Sequence, residues 1–230
     1  MNDMAGRRDD AAGGIPPGGR GVAAVIIVLA AAFAFGAVDQ YLGSLRSSFL
    51  TEVTGMSAPW LLVPFLSGAS QRAWRRAVLV GLTATWLSVL AYVAMIVSPM
   101  EGTHLGPRPA GLVGSWNQLT PHLFLATLAS QWLWFVGGLI AGPLYGWLGY
   151  RWRARRSRAA ALLAVLPPLL EPAARWLAGR SGIAHVIGLA FQWPGYGQAV
   201  IAEIAELAVG LVLTGAVVAA MARSRTPEPA

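Results

Sequence analysis

The sequence predicts an all-α protein, a polytopic transmembrane helix bundle of about six spans with both termini on the cytoplasmic side. Three observations carry that expectation. Only 12% of residues are charged and 56% are hydrophobic, whereas a soluble domain carries about 25% charged residues. Apolar runs of helical length recur along the chain, separated by short arginine-rich stretches. Tryptophans gather near the ends of those runs, as they do in the aromatic belts at membrane–water interfaces.

Residues 1–20, MNDMAGRRDDAAGGIPPGGR, are polar, rich in Gly and Pro and without an apolar period, so they are expected to form a disordered cytoplasmic tail. Val22–Val38 follows. It is too long for the apolar core of a signal peptide and no soluble mature domain comes after it, which favours an uncleaved first span. The second run, Ala58–Ser70, would extend only ~20 Å as a helix against a ~30 Å hydrocarbon core, and Pro59 and Pro64 make a re-entrant path the alternative. Arginine placement decides between them. If the segment crosses, Arg7, Arg8, Arg20, Arg72, Arg75, Arg76, the group Arg151 to Arg158, Arg223 and Arg225 all face the cytoplasm, 13 of the 17 basic residues. If it does not, QRAWRR and RWRARRSR both face outward, against the positive-inside rule. The second span is therefore expected to cross, extended upstream from about Gly55.

Ala77–Val97, Leu123–Leu148, Ala159–Ala178 and Gln198–Ala222 complete six spans in a membrane domain over 21–222, with a second cytoplasmic tail at 223–230. Residues 98–122 hold four prolines and the amphipathic piece LVGSWNQL, the signature of an irregular outer loop lying partly on the interface. The apolar stretch IAHVIGLAFQW (183–193) is too short for a seventh span and is expected to be interfacial or re-entrant.

The net charge of +7 invites a nucleic-acid reading, which the distribution excludes. Every basic residue is Arg, and the arginines sit in short clusters between apolar runs, not on one solvated face with interleaved aromatics. With no cysteine there is no disulfide, thiolate nucleophile or Cys-ligated zinc. His104, His122 and His185 have no metal-ligand spacing, so neither metal nor cofactor is expected. The lipid bilayer of the cytoplasmic membrane is the expected surrounding.

Three stretches, FGAVDQYLGSL, SAPWLLVPFLSGA and GGLIAGPLYGWLGYRWR, resemble in order and spacing an actinobacterial family of small multi-pass membrane proteins of unknown function, over roughly residues 30–178. The resemblance implies the architecture and no activity. In the third stretch Gly138, Gly142 and Gly146 recur every four residues, a small-residue face expected to pack closely on another helix. Pro143 is expected to kink that helix near its inner end.

One stretch carries the functional question. LLAVLPPLLEPAARWLA holds Glu171, Arg175 and three prolines within an apolar span. By helical rise, Glu171 in the fifth span and Glu206 in the sixth lie at about 12 Å below the outer surface, with Arg175 and Glu203 nearer to it. Asp39, at the outer end of the first span, could complete the rim. Either Glu171 and Arg175 form an i, i+4 ion pair and nothing is bound, or Glu171, Arg175, Glu203, Glu206 and Asp39 line an outward-facing polar site for a small solute or cation. The sequence is read as non-enzymatic. EPAAR resembles half of the E-E-x-x-x-R signature of CAAX-type intramembrane proteases, but Leu170 stands where the first glutamate belongs. A substrate-binding or accessory subunit of a larger transporter is the further alternative.

Overall fold

The structure, a computed structural model, describes residues 17–45, 48–98, 121–180 and 200–223. Eight α-helices make up the described chain: α1 (Pro17–Ser44), α2 (Ser48–Thr54), α3 (Ser57–Ala69), α4 (Trp74–Ile96), α5 (Pro121–Ser130), α6 (Trp132–Arg155), α7 (Arg158–Arg180) and α8 (Val200–Arg223). Among the described residues there is no strand. Two helices, α1 from Gly21 and α4, are long and apolar enough to cross a membrane, and α5 with α6 makes a third if the bent pair is one span. Of the expected tail, residues 1–16 lie outside the described residues, as do 223–230 beyond Arg223, the outer loop from 99 to 120 and the 183–193 segment.

Glycine sets the helix spacing. Gly138, Gly142 and Gly146 are buried on one face of α6. A β-carbon on Gly142 would stand 2.9 Å from Leu82 Cα, and one on Gly146 would stand 2.5 Å from the Ala77 carbonyl oxygen. The backbones of α6 and α4 therefore touch, as the four-residue spacing predicts for helices held by van der Waals contact. Helix α3 lies as close at the inner end of the same glycine series, with Gly68 against the Gly146 backbone and Gly149 against that of Phe65. Helix α1 meets α4 where Gly36 abuts Ser88, whose hydroxyl donates to the Ala32 carbonyl at 2.7 Å. Helix α8 meets α7 where Gly210 faces Pro168 and Leu169.

Two helix boundaries differ from the sequence expectation. The run Leu123–Leu148 is not one helix but α5 and α6, bent by 59° at Gln131. Gln131 leaves helical geometry (φ −95°, ψ 13°), and the Ser130 hydroxyl turns back to the Thr127 carbonyl at 2.7 Å, competing with the helical ladder. Pro143 does not end α6, which runs from Trp132 to Arg155 with the proline inside it. The packed glycine face holds the helix on both sides of the missing donor. The second run begins at Ser57 and has no helical extension upstream. Instead α2 ends at Thr54, and Gly55–Met56 form a corner closed by the Met56 N–H on the Val53 carbonyl at 3.2 Å. The sequence reading did not anticipate α2.

Two arginine-rich junctions, α3–α4 and α6–α7, lie at one end of the bundle with the start of α1. Arg76 donates to the Gly21 carbonyl at 3.1 Å, tying the start of α1 to the start of α4. Arg153, at the end of α6, donates to the Ala69 carbonyl at 2.8 Å, at the end of α3. Arg75 lies over the Trp74 ring and Arg151 over the Trp147 ring, at 5.4 and 5.2 Å. Helix α3 thus starts from the corner near Asp39 and finishes among the arginines.

Candidate functional site

A helix of 13 residues leaves most of its terminal amides and carbonyls unmatched, and α3 has no side-chain cap of its own at Met56. Glu171 of α7 supplies one. Its carboxylate accepts the Ser57 backbone N–H at 3.0 and 3.2 Å and also bonds the Ser57 hydroxyl. The negative charge sits at the positive end of the α3 dipole, where each charge-assisted bond contributes about 1.5–3 kcal/mol. Arg153 does the converse at the C-terminal end. A carboxylate stands deep in an apolar span because a short neighbouring helix begins there.

Glu206 is 4% exposed and lines a wide apolar groove of about 480 Å³ between α2, α3, α7 and α8, with Met56, Leu62, Pro168 and Val209 among its walls. The close approach of Gly210 to Pro168 and Leu169 brings α7 and α8 together one turn from Glu206. Glu203 is half-buried in the first turn of α8, favourably placed on that helix dipole. Arg175 belongs to α7, and its side chain lies outside the described residues.

Asp39 is in a different place. It lines a partly open cavity of about 90 Å³, of mixed polar and aromatic lining, bordered by α1, the Thr54–Met56 corner, Trp60 of α3, Tyr92 of α4, and Gln131 and Trp134 at the bend between α5 and α6. Glu171, Arg175, Glu203 and Glu206 are not among its lining residues. Asp39 is 7% exposed. The Trp60 side chain hydrogen-bonds the carboxyl, while Asp39 Oδ2 has no hydrogen-bond partner among the described residues. A carboxylate oxygen buried without a partner costs at least about 1–3 kcal/mol, so its position calls for a reason outside folding. Trp60 anchors an aromatic group, its ring centroid 5.3 Å from Phe35, 5.7 Å from Tyr92 and 6.2 Å from Trp134.

Among the described residues of the expected rim, Asp39 alone lines this cavity. Glu171 caps a helix, Glu206 borders the apolar groove, and Asp39 lines its own cavity. Met56 is the one residue that lines both spaces. The sequence reading missed Trp60, Tyr92, Gln131 and Trp134 as site residues. The two tryptophans fit an interfacial belt equally well, and only Gln131, polar within an apolar run, carried a signal. No group of three or more acidic or histidine side chains able to hold a metal occurs among the described residues.

Comparison with known protein families, curated proteins and solved structures returns no match.

Proposed function

We propose that the chain is a six-span protein of the cytoplasmic membrane, both termini inside, that binds a small cation in the Asp39 cavity at the outer end of the bundle. The single observation behind the binding reading is Asp39 Oδ2, buried, without a hydrogen-bond partner among the described residues, at a partly open cavity with an aromatic wall. Intramembrane carboxylates left in that state are functional candidates, because lipid gives them nothing in return. A cation placed against Oδ2 replaces the missing interaction.

The topology draws support from the two arginine-rich junctions at one end, since a cytoplasmic excess of arginine orients spans. It implies that α3 crosses although it is short. Capping by Glu171 and Arg153 offsets the cost of burying both of its ends. Helices α7 and α8, of 23 and 24 residues, are long enough to supply the last two spans.

The test is ligand-dependent stability of the purified full chain. Melting temperature is followed against rising concentrations of sodium, potassium, ammonium and alkylammonium chlorides, for wild type and Asp39→Asn. A cation that binds the native state raises the melting temperature with concentration. At least one should do so for wild type and not for the variant. A panel that shifts neither protein, or both equally, rules the reading out.

A further inference from the structure

Resting on the cation reading of the Asp39 cavity, we infer that its ligand is a small alkylammonium bearing at least one N–H, and not an alkali metal ion. The walls decide the class. A hard metal cation takes six or so oxygen ligands from a protein. Among the described residues the lining offers side-chain oxygens from Asp39, Gln131, Thr54 and Tyr92 only, with the Thr54 hydroxyl already bonded to the Leu50 carbonyl, while Trp60, Tyr92 and Trp134 present rings. Aromatic rings attract cations through their negative faces, within about 6 Å of the centroid, and they do so best for organic ammonium ions that shed water readily. Tyr92 and Trp134, both packed on Trp60 beside one carboxylate, match the two halves of such a ligand. Its alkyl groups meet the aromatic walls, and its N–H donates to Asp39 Oδ2.

Size agrees. A cavity of about 90 Å³ has room for several waters, and so for a small organic cation in their place. The cavity is fixed where the ligand would sit. Trp60 is held by Asp39 itself and by Phe35, Gln131 is buried at the bend, and the Met56 corner is pinned through the next residue, Ser57, by Glu171. A rigid box of this kind favours a shape and a charge together.

The experiment is isothermal titration of the purified full chain in detergent at pH 7.5 with trimethylammonium, tetramethylammonium and potassium chlorides. Trimethylammonium should bind saturably, potassium should not, and tetramethylammonium, which has no N–H, should bind at least tenfold more weakly. Asp39→Asn should abolish the trimethylammonium heat, and Trp134→Leu should weaken binding tenfold or more. The second variant leaves Asp39 intact, so the assignment stays testable should Asp39→Asn fold poorly. Asp39-dependent binding of potassium without trimethylammonium would leave a cation site standing and overturn the alkylammonium assignment. Absence of all binding overturns both. Trimethylammonium binding that survives both substitutions places the ligand elsewhere and overturns the assignment.

Discussion

Glu171 and Asp39 are both carboxylates buried to nearly the same degree, 6% and 7% exposed, in the same apolar bundle. Glu171 is saturated by a helix terminus, receiving the Ser57 amide and hydroxyl. Asp39 takes a bond from Trp60 and leaves Oδ2 in a cavity. Burial alone therefore does not mark a functional acid. What separates the two is whether folding already satisfies the oxygens, and that depends on which backbone each helix brings to it.

The frame that sets both environments is the glycine face of α6, and its removal has the largest expected effect. Gly146→Leu would drive a side chain into the α4 backbone at the Ala77 carbonyl and Gly81, neither of which can move alone. Overpacking of this kind costs about 3 kcal/mol or more, so the variant should be recovered poorly or melt far below wild type. A normal melt would show that the helices stand further apart and that both carboxylate environments are misdescribed.

A smaller loss is expected for Glu171→Leu, which leaves the Ser57 amide and hydroxyl without their acceptor. Stability should fall by about 2–4 kcal/mol, and direct cation binding at Asp39 should weaken only through the displaced Met56 corner. If Glu171→Leu abolished binding while melting like wild type, the roles assigned to the two acids would have to be exchanged. Smaller again is Arg153→Met, an exposed side chain at the C-terminal end of α3. It removes one charge-assisted bond and should cost about 1 kcal/mol, read as a shift of a few degrees with cation binding unchanged.

Much of the architecture was legible in the sequence because lipid imposes one rule everywhere. Apolar runs gave α3, α4, α7 and α8 to within a few residues, and the spacing of Gly138, Gly142 and Gly146 gave the packed face of α6. The break at Gln131 was not legible. It follows from a local contest between a serine hydroxyl and the helical ladder inside an unbroken apolar run. The site was legible only in part. Asp39 was named, but it was grouped with Glu171 and Glu206 by depth alone, and depth carries no information about azimuth around the bundle. Trp60 and Trp134 were visible as belt residues. Their meeting with Asp39 depends on the Gly55–Met56 corner and the 59° bend, two features that composition does not encode.

The most direct test of the contrast between the two acids is the thermal melt of Asp39→Asn beside Glu171→Gln, both without added cation, in one detergent. Asparagine keeps an acceptor for Trp60 and removes a buried charge that no described residue neutralises, so Asp39→Asn should melt at or slightly above wild type. Glutamine keeps one acceptor for Ser57 but loses the charge at the α3 terminus. Glu171→Gln should therefore melt lower by about 2–4 °C for each kcal/mol lost. A clear fall for Asp39→Asn, with Glu171→Gln unchanged, would contradict the account.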